Sequence, residues 1–76
     1  MDRELTFGEK AVGRTFNPGN NLEVDEIKLD FANIIDTLND MRTETGDAEV
    51  KRMLSLAITD AQTAQMWAVK AVTWQK

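Results

Sequence analysis

With 76 residues the chain is one small domain, near the lower limit at which a single core folds unaided. It has no cysteine and no histidine, which excludes disulfides and thiolate metal sites and removes the commonest general base. A net charge of −4 argues against a basic face for DNA or RNA, and no apolar run reaches the roughly 20 residues that span a bilayer.

The opening Met1-Asp2-Arg3-Glu4 carries no signal-peptide pattern, so a cytoplasmic location is expected. Small scaffolds without covalent staples depend on regular helix packing or on oligomerisation, so self-association is expected as well.

Residues 1–21 read as an arm followed by a turn. They hold Gly8, Gly13, Gly19 and the only proline, Pro18, and the run Phe16-Asn17-Pro18-Gly19-Asn20-Asn21 concentrates turn-forming residues. Lys10, Arg14, Phe16 and Asn17 also place two cations, an aromatic ring and an amide close together. A ring can stack on a nucleobase, cations can meet phosphate, and an amide can read a base edge. The plainer reading of Phe16 is a staple packed on the following helix, and by composition alone that is the commoner case.

Residues 22–76 read as a helical hairpin, which makes the fold class all-α. Asn21 is placed to cap a first helix starting at Leu22 or Glu23, with acidic residues in its first turn. Val24, Ile27, Phe31, Ile34, Leu38 and Met41 alternate three and four apart, the signature of a packed seam, while Leu29 and Ile35 fall off it. The pattern fades near Arg42. Gly46 suits a left-handed helix end and Asp47 the next N-cap.

The second helix is expected from about Ala48 to near Gln75, clearly longer than the first. Val50, Leu54, Ala57, Ala61, Ala64, Ala68 and Ala71 are its expected seam, with small residues allowing an antiparallel partner to approach closely. Met53, Trp67 and Trp74 lie on another face. In a lone hairpin they would be largely exposed, so they are the expected oligomer interface unless the arm folds over them.

Catalysis finds little support. Asp25, Asp30, Asp36, Asp40 and Asp60 lie on the predicted helices, and Asp36 and Asp40 are one turn apart, but carboxylate-bundle metal sites use Glu-x-x-His pairs. A solvated polar face is the better reading. No base accompanies the Ser and Thr residues, and the glycines form no phosphate loop. An enzyme is not expected, nor a cofactor.

The run Arg52-x-x-Ser55-Leu56-Ala57-x-Thr59, followed by Ala64-x-Met66-Trp67-Ala68, resembles the second helix of a family of small phage proteins. These share a helical-hairpin domain and act as sponges for cyclic-nucleotide signals: the anti-CBASS sponge and, more distantly, the anti-Thoeris sponge. Thr15-Phe16-Asn17-Pro18 is similar to the family's aromatic-and-proline turn, and Glu26-Ile27-Lys28 to the start of its first helix. The resemblance spans about residues 14–72.

It implies hairpins assembled into a homo-oligomeric helical bundle, a hexamer built as a trimer of dimers in the best-known branch. It implies cyclic dinucleotides such as cGAMP held between subunits, a turn aromatic stacking on a base, and a first-helix lysine on phosphate. A separate pocket with a second-helix arginine takes cyclic trinucleotides in some members. Carried over, Phe16 beside Pro18 stacks, Lys28 is the first-helix cation, and Arg52 with Thr59 faces the second pocket. Phe16 stands where the branch often has Tyr, so stacking remains and the hydroxyl hydrogen bond is lost.

The expected activity is therefore sequestration without degradation, in the host bacterial cytoplasm. Three rivals stand beside it: capture of cyclic ADP-ribose-type signals, a protein-binding adaptor using the Met53, Trp67 and Trp74 face, and a hydrolase. The last lacks histidine and metal ligands.

Overall fold

The computed structural model describes residues 4–74; Met1–Arg3 and Gln75–Lys76 lie outside the described residues, and the last helix stops at Val72, short of the end expected near Gln75. Three helices follow in order: α1 Phe7–Val12, α2 Leu22–Glu44 and α3 Ala48–Val72. No strand occurs among the described residues. Helices α2 and α3 are the two arms of the expected hairpin, whereas α1 was not expected.

Its limits follow from local chemistry. Thr6 Oγ1 accepts from the Glu9 N–H at 3.1 Å, and Glu9 Oε1 accepts from the Thr6 N–H at 2.8 Å, a reciprocal capping box. At the other end Gly13 takes φ 64°, the left-handed region that glycine enters without a Cβ penalty. The Arg14 N–H then reaches Glu9 O at 2.9 Å and the Gly13 N–H reaches Lys10 O at 3.2 Å, closing a Schellman-type end. The Gly8 N–H in the first turn donates to Asp36 Oδ1 at 2.7 Å, so a carboxylate of α2 caps the positive end of α1. Asp36 thus anchors α1.

Asn21 caps α2 as expected, its Oδ1 accepting from the Val24 N–H at 3.1 Å. Asp47 caps α3 by accepting from the N–H groups of Glu49 and Val50 at 2.9 and 3.2 Å. The intervening turn differs from expectation. Among the described residues only Gly13 and Asn20 have positive φ, so Gly46 is not a left-handed cap. An extended Thr45 ends α2 instead, its N–H donating to Met41 O at 3.1 Å. With 23 and 25 residues the two long helices are nearly equal, about 35 and 38 Å.

The core is Val12, Ala32, Ile35 and Ile58, with Ala11, Phe31, Leu38 and Ala61 packed against it. Both expected seams hold in part: Val24 is buried and Ile27, Phe31, Leu38, Val50, Leu54, Ala57, Ala61 and Ala68 are half-buried, but the packed sides are centred on residues outside them. Ile35 is the one described side chain of any size that is fully enclosed, while Ile34 and Met41 are half exposed. On α3, Ile58 and Gln65 are buried and Ala64 and Ala71 are exposed. Ala61 packs against the core, and Ala64 and Ala71 form the edge of the alanine stripe that turns away from it. Branched aliphatics such as Ile58 remove more apolar area from water than alanine does, and they set the rotation.

The molecule measures 46 × 35 × 12 Å, little more than one helix layer deep. Its radius of gyration of 13.8 Å exceeds the ~11 Å of a compact chain this long. Its accessible surface of 5650 Å² exceeds the roughly 4,700 Å² typical of its mass.

Candidate functional site

The segment from Gly13 to Asn21 is held from three sides. The Phe16 N–H donates to Gly13 O at 2.9 Å and the Asn20 N–H to Asn17 O at 3.0 Å. The Asn17 side chain uses both ends of its amide: Nδ2 donates to Asn21 O at 2.9 Å, and Oδ1 accepts from the Asn21 N–H at 3.1 Å. Asn17 therefore builds the turn. From α2, Lys28 Nζ donates to Gly13 O at 2.9 Å and to Phe16 O.

These bonds leave the Phe16 ring pointing outward, 71 % exposed, so it is not a staple against α2. Lys28 Nζ lies 5.4 Å from the ring centre, within cation–π range. Lys28 itself is buried, and burial, helped by the neighbouring Arg14 charge, holds its ammonium below the ordinary lysine value of 10.5. Two of its three donors are spent on carbonyls. The structure brings Lys28 beside Phe16 as a brace for the turn.

The turn stands between two clefts. One, of about 380 Å³, lies between Phe16, Pro18 and Lys28 on one side and Val69 and Thr73 of α3 on the other. The second, of about 490 Å³, is lined by Leu5, Glu9, Arg14, Asn17 and Asp25 among others. Arg14 forms an ion pair with Asp25 there, with a second contact from its other terminal nitrogen at 3.5 Å. Phe16, Asn17, Pro18 and Lys28 are thus drawn to one cleft and Arg14 to its neighbour. Lys10, exposed on the last turn of α1, lines neither.

Arg52 and Thr59 are exposed on α3, about 10 Å apart along its axis. Arg52 Nε donates to Glu49 Oε1 at 2.7 Å. They line neither cleft beside the turn. The arm does not cover the expected interface: Met53 is 50 % exposed, Trp67 and Trp74 65 % each. Sequence reasoning missed Lys70, whose Nζ sits 5.2 Å from the Trp67 ring centre and 5.9 Å from that of Trp74. The signal was its spacing, three residues after one Trp and four before the other. It also missed Val69 and Thr73, which reach the cleft only because the hairpin folds back on the turn.

Among the described residues no group of three or more His, Cys, Asp or Glu side chains could hold a metal ion. What the turn offers chemically is an exposed aromatic ring, with the Lys28 ammonium and the Asn17 amide beside it holding the backbone.

A family model described as Acb2/Tad1, hairpin domain, matches residues 9–73. The chain belongs to this family. The Acb2/Tad1 hairpin family is that of the anti-CBASS and anti-Thoeris sponges, so membership implies a phage anti-defence sponge, a binder of cyclic-nucleotide signals and not an enzyme. The matched span runs from Glu9 in α1 to Thr73 at the end of α3, so the turn and both long helices of the Acb2/Tad1 hairpin lie inside it. No curated protein and no solved structure matches the chain. No helix of this Acb2/Tad1 hairpin is long and apolar enough to cross a membrane among the described residues.

Proposed function

We propose that the protein sequesters cyclic dinucleotides such as cGAMP at the Phe16 turn, intact, and so blunts CBASS-type signalling in the host bacterial cytoplasm. The observation that carries this reading is the Phe16 ring, 71 % exposed over a cleft on a chain that is otherwise acidic. A large apolar ring held out in water by a braced turn is suited to stacking on a base. Arg14, Lys28 and Lys10 are the basic groups nearest the turn in the sequence, and they supply the charge that meets phosphate. Lys28 contributes through its remaining donor, and Pro18 and Asn17 fix the shape around the base.

In this reading the protein works as a homo-oligomer, a trimer of dimers, with each ligand held between copies through contacts that two or more turns share. Nanomolar capture corresponds to about −12 kcal/mol, more than one exposed ring supplies. Arg52 and Thr59 belong to a separate pocket for cyclic trinucleotides.

The experiment is calorimetry against cyclic di- and trinucleotides and cyclic ADP-ribose isomers. Phe16→Ala weakens dinucleotide binding by about 1 to 3 kcal/mol, the usual scale for base stacking. Unchanged binding in that variant refutes the site, and no binding to any cyclic dinucleotide at high micromolar concentration refutes the function. A second reading, capture of cyclic ADP-ribose-type signals, follows from a family that joins both sponge branches, and it wins if only those isomers bind. Nucleotide recovered unaltered after denaturing the complex separates sequestration from hydrolysis.

A further inference from the structure

The cleft beside the Phe16 ring has a wall from the turn and a wall from the end of α3, and each carries one polar group whose direction the fold fixes. On the turn side that group is Asn21. Asn17 holds its backbone at both ends, accepting from the Asn21 N–H at 3.1 Å and donating to Asn21 O at 2.9 Å. The Asn21 side-chain oxygen accepts from the Val24 N–H at 3.1 Å. A backbone N–H can only donate, so this amide cannot turn over, and its nitrogen faces away from the helix. Asn21 lines the cleft, and among the described residues Nδ2 has no hydrogen-bond partner. Asn, Asp and Ser cap a helix about equally well, but only Asn is left with N–H donors to spare.

Across the cleft stands the last turn of α3. The Thr73 hydroxyl has one hydrogen, directed at carbonyls of its own helix, Val69 O at 2.7 Å and Lys70 O at 3.4 Å. What it offers the cleft is therefore lone pairs. Between the two groups the lining includes the aliphatic side chains of Pro18, Val24 and Val69. A slot with apolar walls, one fixed donor and one fixed acceptor complements a flat heterocycle that carries both kinds of group on its edge.

We infer that Asn21 and Thr73 read the edge of the base that stacks on Phe16. Asn21 Nδ2 donates to a carbonyl oxygen or an unprotonated ring nitrogen of the base, and Thr73 Oγ1 accepts from one of its N–H groups. Purine edges present such acceptors and donors. The two residues are thus specificity-determining contacts, and they favour a purine nucleotide over phosphorylated rings that lack a base. Asn21 is already fixed at its backbone and at its side-chain oxygen, so little rotamer freedom is lost when the ligand arrives. Capping and reading use opposite ends of one amide, which is why a carboxylate or a hydroxyl at this position serves the helix and not the ligand. The inference rests on the proposed binding of a cyclic dinucleotide at this turn.

The test is calorimetry with cGAMP on the original chain and on Asn21→Ser, Thr73→Val, Thr73→Ser and Phe16→Ala, with urea unfolding of each. Asn21→Ser keeps a capping oxygen for α2 and has no amide nitrogen, so the urea midpoint holds while cGAMP binds about tenfold more weakly. Thr73→Val keeps the shape of the side chain, removes its oxygen and weakens binding about fivefold. Thr73→Ser keeps the oxygen and the affinity. Affinity lost in Phe16→Ala but kept in Asn21→Ser and Thr73→Val overturns the reading of the base edge and leaves the site standing. A weaker Asn21→Ser with a lowered urea midpoint, beside an unaffected Thr73→Val, assigns Asn21 to the cap alone and overturns it too. Affinity kept in Phe16→Ala, or an original chain that binds no cyclic dinucleotide, overturns the site or the proposed function, and this inference with it.

Discussion

Gly8→Ala is expected to detach α1 while leaving the hairpin folded. A Cβ at this position would lie 2.1 Å from the carbonyl oxygen of Ala32 and 2.9 Å from the Asp36 carboxyl carbon. The nearer obstacle is backbone of α2, which cannot rotate aside, so α1 must lift by more than an ångström. That displacement also breaks the 2.7 Å bond from the Gly8 N–H to Asp36. Overpacking costs about 1 to 3 kcal/mol, and a hydrogen bond to a charged acceptor contributes about 1.5 to 3 kcal/mol. The gain in helix propensity from glycine to alanine is about 1 kcal/mol and does not offset them.

A six-residue helix does not persist alone in water, so an undocked α1 is an unfolded α1. The assay is amide hydrogen exchange. In Gly8→Ala the amides of α1 lose protection while those in the middle of α2 and α3 keep theirs. Nucleotide binding weakens too, because Gly13 and Phe16 lose the support of α1 although no residue of the turn has changed. Retained protection across α1 together with an unchanged urea midpoint refutes the account of its docking.

Further outcomes follow from the same contacts. Because Lys28 has a folded-state pKa below the ordinary 10.5, the unfolded chain holds more protons between those two values, and stability rises with pH across that window. Lys28→Met flattens that rise, which urea unfolding of both proteins at neutral pH and near pH 10 measures; parallel changes in the two refute the desolvated ammonium. Asn21→Ala removes the cap of α2 and costs about 1 kcal/mol in urea unfolding, and the Asn17 amide keeps its bond to the backbone oxygen at that position. Arg52→Ala leaves cyclic dinucleotide affinity unchanged in calorimetry and lowers that for cyclic trinucleotides; a loss for both classes overturns the two-pocket division.

The parts of the fold legible in the sequence were those fixed by neighbours a few residues apart. Asn21 and Asp47 marked the starts of α2 and α3 because a capping side chain needs only the next turn of backbone. Helix α1 was written in the same local code, in Thr6 with Glu9 and in Gly13, but its six residues carry too little apolar periodicity to announce a helix. Rotation about the helix axes was legible only in part, since Val24, Phe31, Leu38 and Ala61 pack inward while Ile34, Met41, Ala64 and Ala71 do not. Ile34 and Ile35 are adjacent and equally apolar, and it is Ile35 that clusters with Val12 of α1 and Ile58 of α3. The exposure of Phe16 overturned its plainer reading as a staple, and Lys28 was not readable as a brace, since its carbonyl partners lie 12 and 15 residues away. The resemblance pointed to the family correctly because its motif sits on α3, where one unbroken helix preserves spacing.

A body only 12 Å deep has two broad sides and almost no inside. Nearly every position along α2 and α3 is a single side chain away from open water, so drift in the hairpin cannot be hidden beneath an outer layer. Replacements that tune durability also redraw the outline shown to neighbours. A thin tile of this kind leaves few silent places for change.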